Sequence, residues 1–580
     1  MPDAPTVFFD SFGSSDNSSS WRFGGYVTTL MTIVPEEVGT ILRQVERATT
    51  GGLYAAGFVA YEAAAALNPD LPARQPAEGL PLVWFALFRE RHSVTAGGGI
   101  PLSSTEISLT PQQTFEEYTG NVERIRDYIA AGDCYQVNYT FPLQGTVKGD
   151  LPGLYSRISH AQQAPFCALI DTGRFTILSA SPELFFSLKE GIITTRPMKG
   201  TAARGCREDE DLDAIQQLRN NSKEKAENVM IVDLLRSDLG SLAETGSVSV
   251  DALFDVETYP SVHQMTSTIS AQLRADTGLT DIFRALFPCG SVTGAPKRRS
   301  MQIIDEREAA ARGVYCGAIG SVAPRGDAVF SVAIRTLIHD AETDGLTMGI
   351  GSAITWDSQA ASEYAECLSK ALFVTRANSD FKLVESLRLE QGTYTLLERH
   401  MTRLLSSARF FGFQFDEAAL RRSLASHAAQ TDGLHKVRLL LTADATAEIT
   451  SELLQDTAQP LRTAISAITV NSKDTLRYHK TTRRELFDRA RAERPDCDEV
   501  LLLNENGQLT EGSYHNLVIH LNGALLTPPL ACGLLPGVLR EELLAQGIVT
   551  ERLISPEDLK RADEIWLINS VRGWRRCDVI

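Results

Sequence analysis

With 580 residues the chain is too long for one hydrophobic core, and two or three domains are expected. Its 56 basic residues against 73 acidic ones leave a net charge of -17, which argues against a nucleic-acid or anionic-membrane surface. The nine cysteines (134, 167, 206, 289, 316, 367, 497, 532, 577) never form a C-x-x-C pair, so a zinc knuckle, an iron-sulfur cluster and a thioredoxin-like motif are disfavoured; free thiols in a reducing compartment are expected. Met1-Pro2-Asp3-Ala4-Pro5 lacks the basic and apolar parts of a signal peptide, and no run of about 18 apolar residues occurs, so the expectation is a cytoplasmic protein without a membrane partner.

From about residue 5 to 375, short strand-like runs are mixed with amphipathic helices, without the regular alternation of a doubly wound sheet, and the expected class is α+β. Gly97-Gly98-Gly99 reads as a loop. Phe115, Tyr118, Val122, Ile125 and Ile129 recur at helical spacing, between a start at Thr110-Pro111 and a stop at Gly132. Tyr135-Gln136-Val137-Asn138-Tyr139 then reads as a strand. Residues 184–188 and 192–195 predict two strands joined by Lys189-Glu190-Gly191, a hairpin that brings its ends together. One end is the acidic turn Ser181-Pro182-Glu183; the other is Arg196-Pro197-Met198-Lys199-Gly200-Thr201. An isolated pair of this kind is most simply a turn acid and a solvated loop lysine.

Two further carboxylate pairs follow. Glu224 and Glu227 stand three apart at the head of an apolar segment, and Glu363 and Glu366 repeat the spacing, with Lys370 one turn on. If both segments are helices, each pair lies on one face. Four carboxylates around a common cavity would repel unless a hard cation neutralised them, and oxygen ligands suit Mg²⁺. A domain boundary is expected near Ala377-Asn378-Ser379-Asp380, and no internal repeat is present.

Ser181-Pro182-Glu183 and Pro197-Met198-Lys199-Gly200-Thr201 resemble the signature of the chorismate-utilising enzymes, a family that includes anthranilate, isochorismate and aminodeoxychorismate synthases. The resemblance implies β-sheets flanked by helices over residues 1–377, with a catalytic core at about 112–375. Anthranilate-forming relatives typically carry alanine where Lys199 stands, so the lysine points to the branch that aminates chorismate at C4. Lys199 would then be the nucleophile at C2 once its amine is neutral, and Glu183 the general acid for the departing C4 hydroxyl. The same resemblance implies Glu227 and Glu366 as direct Mg²⁺ ligands, with Glu224 and Glu363 acting through water. Cys289-Gly290-Ser291-Val292-Thr293-Gly294-Ala295-Pro296-Lys297 is similar to the family's Ser-x-Thr-Gly-Ala-Pro-Lys, which implies Thr293 beside the substrate. Tyr315, Arg335, Gly349 and Gly351 match the elements that grip the enolpyruvyl carboxylate, a task suited to a guanidinium. Lys370 completes the second acidic motif, and His263 would lie near the C4 oxygen. Gln136 stands where isochorismate and salicylate synthases carry a lysine base; it cannot take a proton, so water should be a poor nucleophile here.

Residues 381–580 carry a second set of motifs. His400-Met401-Thr402-Arg403-Leu404, Tyr478-His479-Lys480-Thr481-Thr482, Glu511 in Thr510-Glu511-Gly512-Ser513-Tyr514-His515-Asn516, and Gly533-Leu534-Leu535-Pro536-Gly537-Val538 stand in order, followed by Asn569-Ser570-Val571-Arg572. They resemble the class IV aminotransferase-like enzymes, which implies a fold-type IV domain that binds pyridoxal 5'-phosphate. Lys480 would link the cofactor, Arg403 would bind its phosphate, and Glu511 would keep the pyridine nitrogen protonated. Gly537 and Val538 would open a helix whose amides hold phosphate, and Ser570 would complete the contacts.

Together the two resemblances imply synthesis of 4-amino-4-deoxychorismate from chorismate and ammonia, then removal of pyruvate to give 4-aminobenzoate for folate. No Gly-x-Cys-x-Gly nucleophile elbow appears, so ammonia is expected from a separate glutamine amidotransferase subunit. Two other readings stay open. An anthranilate or isochorismate synthase joined to a class IV aminotransferase is disfavoured by Lys199 and Gln136. A non-catalytic chorismate-binding subunit should have lost some acidic or lysine positions, yet all are present.

Overall fold

The computed structural model describes residues 4–12, 20–97, 100, 105–260, 262–375, 381–443, 445–455 and 460–580. The expected boundary at 377–380 and two glycines of Gly97-Gly98-Gly99 lie outside those residues. The chain folds into two compact units. The first is made of Met1–Ala203 and Ile215–Asn378, the second of Arg204–Ala214 and Ser379–Ile580.

In the first unit, eighteen strands among the described residues join into one hydrogen-bonded system whose pairings are antiparallel. The predicted hairpin forms as Leu184–Lys189 against Ile192–Arg196, with Leu188 opposite Ile193. Its turn is tight because Glu190 and Gly191 both take positive φ, 52° and 81°, a geometry that matches the right-handed twist of the flanking strands. Phe185 and Phe186 of this hairpin are fully buried with Phe283 and Phe330, and each such side chain stabilises the unit by about 1.5–3 kcal/mol. The ends of the hairpin are thus fixed to a core rather than left in a mobile loop.

The expected helix runs from Phe115 to Ala130, but it begins later than Thr110-Pro111. Glu106–Pro111 is a strand paired with residues 143–148, and the helix is started instead by Thr114, whose hydroxyl accepts from the Glu117 amide while Glu117 accepts from the Thr114 amide. The strand expected at 135–139 extends over Gln136–Lys148, because Gly345–Ile354 pairs along its other edge. Both acidic pairs lie on helices, Ser222–Gly240 and Ala360–Ser369.

The second unit contains a four-stranded antiparallel sheet built on Leu383–Glu390 and Leu434–Leu441, packed by the helices Leu397–Phe411 and Glu417–Ala429. Eight further strands form a mixed sheet that includes the parallel pair Leu461–Val470 and Glu499–Asn504. The architecture is therefore α+β in both units. Among the described residues, no helix is long and apolar enough to cross a membrane.

Candidate functional sites

The first unit holds a cleft of about 530 Å³ whose wall includes Glu183 and Lys199 from the two ends of the hairpin. Glu183 is held from behind: its amide donates to the Ser181 hydroxyl at 3.2 Å, and its carbonyl accepts from the Val332 amide at 3.0 Å. The side chain is 3% exposed, and one carboxyl oxygen has no hydrogen-bond partner. Burial pushes its pKa up to about 7, with Ser291 and the Lys199 ammonium opposing. Lys199 lies on the strand Met198–Ala203, where the pairing with Val262–Gln272 slips between Met198 and Thr201. Such a bulge re-aims the side chain it carries. Gly200 permits it, with φ at 96°, and a Cβ there would press on Glu224 Oε2 at 3.1 Å. Burial lowers the Lys199 pKa, opposed by Glu227 and then Glu183.

The four acids of the paired motifs line the same cleft. Burial and then the charge of Glu227 raise Glu224, and burial is likewise the main cause of the rise at Glu227. Glu366 behaves differently: burial pushes it up, but Lys370, 2.8 Å away, outweighs this and holds it below the ordinary value. Lys370 also donates to the Gly351 carbonyl at 2.9 Å. No group of three or more His, Cys, Asp or Glu is preassembled as a metal cage among the described residues. What is present is a surplus of partly buried negative charge facing one space, which a hard dication would relieve.

Tyr315, Arg335, Gly349 and Gly351 also line the cleft. A Cβ at Gly349 would fall 2.0 Å from the Tyr315 ring, so only glycine lets that ring close the wall. Arg335 takes a left-handed backbone, φ 54°, and donates to Gln162 Oε1 at 3.0 Å. Backbone strain of this kind persists where the surroundings dictate it and is common at binding sites.

Three predicted contacts are not on the wall. His263 lies between Val262 and Gln264, which do line the cleft; side chains alternate along a strand, so the imidazole faces the other way, toward the Thr258 hydroxyl at 3.0 Å. The Thr293 hydroxyl turns back to the carbonyls of Cys289 and Gly290, holding the turn that precedes Gly294. Gln136 is fully buried beside Ala295, its strand partner, and both ends of its amide lack hydrogen-bond partners.

The second unit has its own cavity, about 310 Å³, lined by Arg403, Lys480, Glu511, Gly537, Val538 and Ser570. All the predicted cofactor contacts therefore meet in one place. Lys480 is fixed through its backbone, its carbonyl accepting from the Val384 amide at 2.9 Å. Burial lowers its pKa to about 8, with the nearby Arg403 guanidinium acting in the same direction. Glu511 stands opposite Asn516 across a strand pair, which explains the spacing of the Glu-x-x-x-x-Asn motif. Asn516 donates to both the Leu535 carbonyl at 3.0 Å and Glu511 at 3.4 Å. Burial pushes Glu511 up to about 8, with the Leu535 amide and Arg477 opposing. The helix Val538–Ala545 starts at Gly537 without a side-chain cap, leaving its first amides for a ligand.

Some contributors carried no signal in the sequence. Glu385 binds Arg403 through both carboxylate oxygens, at 2.9 and 2.7 Å, and accepts from His400 as well; burial pushes its carboxyl up, but these partners, Arg403 foremost, outweigh it and hold it at about 2. Arg403 also donates to the Pro536 carbonyl, so three of its five N–H groups are used and two remain. Glu499 accepts from Ser513, Tyr514 and His515 and fixes the turn beside the cavity. Arg477 is 6% exposed on the cavity wall, with its Nη1 lacking a hydrogen-bond partner.

Comparison with known proteins gives matches for both halves. The profile described as chorismate binding enzyme matches residues 35–376, and that of amino-transferase class IV matches residues 382–580. Aminodeoxychorismate synthase component 1 of Klebsiella aerogenes is 44% identical over 255 residues, which is 44% of this chain and 56% of the relative. The protein of the same name from Escherichia coli (strain K12) is 42% identical over 257 residues, with the same coverage. Anthranilate synthase component 1 of Pseudomonas aeruginosa is 35% identical over 294 residues, 50% of this chain and 59% of that protein. The chain thus spans somewhat more than half the length of each of these three relatives. The crystal structure of anthranilate synthase component I from Streptococcus pneumoniae TIGR4 matches with a TM-score of 0.52 at 26% identity, covering 65% of this chain and 93% of that one.

Proposed function

Since the chain belongs to the chorismate binding enzyme family over residues 35–376 and matches the class IV amino-transferase family over residues 382–580, we propose that it makes 4-aminobenzoate in two steps. The first unit aminates chorismate to 4-amino-4-deoxychorismate; the second removes pyruvate from that product. The observation that carries the reading is the buried amine of Lys199 in one cleft with the buried, proton-retaining carboxyl of Glu183. Anthranilate formation also needs an acid for the departing C4 hydroxyl, but it has no use for an enzyme amine at C2.

In the first cleft Lys199 Nζ attacks C2, both ring double bonds shift along the ring, and the C4–O bond breaks as Glu183 gives up its proton, so that water leaves. Ammonia then attacks C4, both double bonds shift back, and the C2–N bond to Lys199 breaks; a proton from the entering nitrogen returns to Glu183. Two displacements retain the position of the substituent and its configuration. Arg335 is the guanidinium suited to the enolpyruvyl carboxylate. Glu227 and Glu366 would hold Mg²⁺, with Glu224 and Glu363 behind them, and the ion would supply positive charge for the ring carboxylate. Ammonia is proposed to come from a separate amidotransferase subunit.

In the second cavity pyridoxal 5'-phosphate, when bound, supplies an electron sink. Lys480 would hold it, with Arg403, Ser570 and the amides after Gly537 around its phosphate and Glu511 at the ring nitrogen. Lys480 Nζ, with its pKa near 8, takes the proton from the ring carbon bearing the amino group and delivers one to the methylene carbon of the departing enolpyruvyl group. The wall carries Arg403, Lys436, Arg477, Lys480, Arg483, Arg484 and Arg572 with Glu511, and although Glu385, Glu452, Asp474 and Glu485 pair with four of these cations from outside the wall, an excess of positive charge remains. That excess suits a substrate with two carboxylates better than a monocarboxylic amino acid.

The test supplies chorismate, ammonia, Mg²⁺ and pyridoxal 5'-phosphate and measures 4-aminobenzoate and pyruvate, which are expected in equal amounts. Accumulation of aminodeoxychorismate alone would remove the second step. Transfer of the amino group to a 2-oxo acid would instead assign residues 381–580 a transaminase role.

A further inference from the structure

The second unit is not one continuous stretch of chain, for Arg204–Ala214 is built into it together with Ser379–Ile580. Its later part begins the helix Glu208–Asn220, with Glu208, Asp209, Glu210 and Asp211 in the first turn. The whole stretch is a folded clip. Arg204 Nε donates to both oxygens of Asp211, at 2.8 and 2.9 Å, and the amides of Gly205 and Cys206 donate to Asp211 and Glu210. The Arg204 and Asp211 side chains are only 8% and 12% exposed.

The outward contacts of the clip converge on the approach to Lys480. Arg204 donates to the Phe410 carbonyl at 3.1 Å and stacks its guanidinium 4.4 Å from the Phe410 ring. Glu208 accepts from the Ser406 hydroxyl at 2.6 Å, and the Cys206 thiol reaches the Lys473 carbonyl at 3.5 Å. Arg207 lies 5.7 Å from the Tyr478 ring. The Phe410 ring in turn lies 4.6 Å from that of His479, whose Nδ1 shares a hydrogen bond with Ser407 at 2.9 Å. His479 immediately precedes Lys480. One stack therefore runs from Arg204 through Phe410 to the residue beside the lysine. An exposed ion pair would contribute little, but a buried one stacked on an aromatic ring fixes its neighbours more firmly.

We infer that Arg204–Ala214 is a positioning element of the second site, clamping residues 473–480 so that Lys480 is presented at a fixed place in the cavity. The inference rests on the reading of Lys480 as the cofactor lysine, and its test separates the two. In the full-length chain, amide hydrogen exchange across residues 473–482 should quicken about tenfold in Arg204→Ala and Asp211→Asn. Arg204→Lys, which keeps the charge but not the planar fork, should restore part of the protection. The induced circular dichroism of bound pyridoxal 5'-phosphate should weaken in the same order, a signal that a purely structural role elsewhere would not move. Glu208→Gln weakens the contacts to Ser406 and Arg409 and covers the case in which Arg204→Ala fails to fold; about threefold faster exchange is expected. Exchange at 473–482 unchanged in Asp211→Asn and Glu208→Gln would overturn the clamp. If the parent chain binds no pyridoxal 5'-phosphate, the cofactor reading falls, while the exchange result still decides the clamp.

Discussion

At Glu183 and Lys199 one physical cause produces two opposite and useful shifts. Removing water disfavours charge, so it raises the acid to about 7 and lowers the amine, favouring the neutral form of each. The rate of amination should therefore fall about tenfold per pH unit above roughly pH 7, where Glu183 loses its proton. Glu183→Gln should lose the alkaline limb and about 10²–10⁴-fold in rate. A pH profile in that variant with the wild-type alkaline limb would place the acid elsewhere. Lys199→Ala should form no aminodeoxychorismate while keeping its fold and its Mg²⁺ binding; chromatography of the products showing undiminished aminodeoxychorismate would take Lys199 out of the mechanism.

The helices Ser222–Gly240 and Ala360–Ser369 each bring two acids to the cleft, but the four are not equivalent. Glu227→Gln or Glu366→Gln should weaken the dependence of activity on Mg²⁺ by about tenfold or more, and Glu363→Gln far less. Equal apparent Mg²⁺ affinity in all three variants would contradict that division. These helices were legible in the sequence because their periodicity is local, and so was the hairpin, because Glu190-Gly191 is a turn signal between apolar strands. The start of the helix Phe115–Ala130 was misplaced because Glu106–Pro111 joins a sheet through a partner far along the chain. That His263 stands off the cleft wall was not legible for a related reason: which face of a strand meets the cleft depends on register, and a shift of one residue reverses it. The supports of the second cavity, Glu385 and Glu499, act across 18 residues to Arg403 and 16 to His515, and no local pattern marks them.

On the scale of the whole chain, the two proposed reactions should be separable by single substitutions. Lys480→Ala is expected to accumulate aminodeoxychorismate without releasing pyruvate. Lys199→Ala should make no intermediate yet still convert supplied aminodeoxychorismate to 4-aminobenzoate. Mixing the two proteins should restore the conversion of chorismate if the intermediate diffuses through solution; failure of the mixture, with each half-reaction intact, would mean that the intermediate does not escape.

The path of the backbone sets a limit on how this molecule can be divided. Because the chain leaves its first unit after Ala203 and re-enters it at Ile215, a gene split at 378/379 would not yield two complete proteins. The shorter product would lack eleven residues of its own fold, and the longer one would display them as an unpaired peptide. Coexpressed fragments 1–378 and 379–580 should accordingly copurify as a complementing pair, and the smaller fragment alone should be the less soluble of the two. Whatever joined the two halves in one polypeptide, the link is more than a tether: the second unit takes part of its body from a stretch of sequence that lies inside the first.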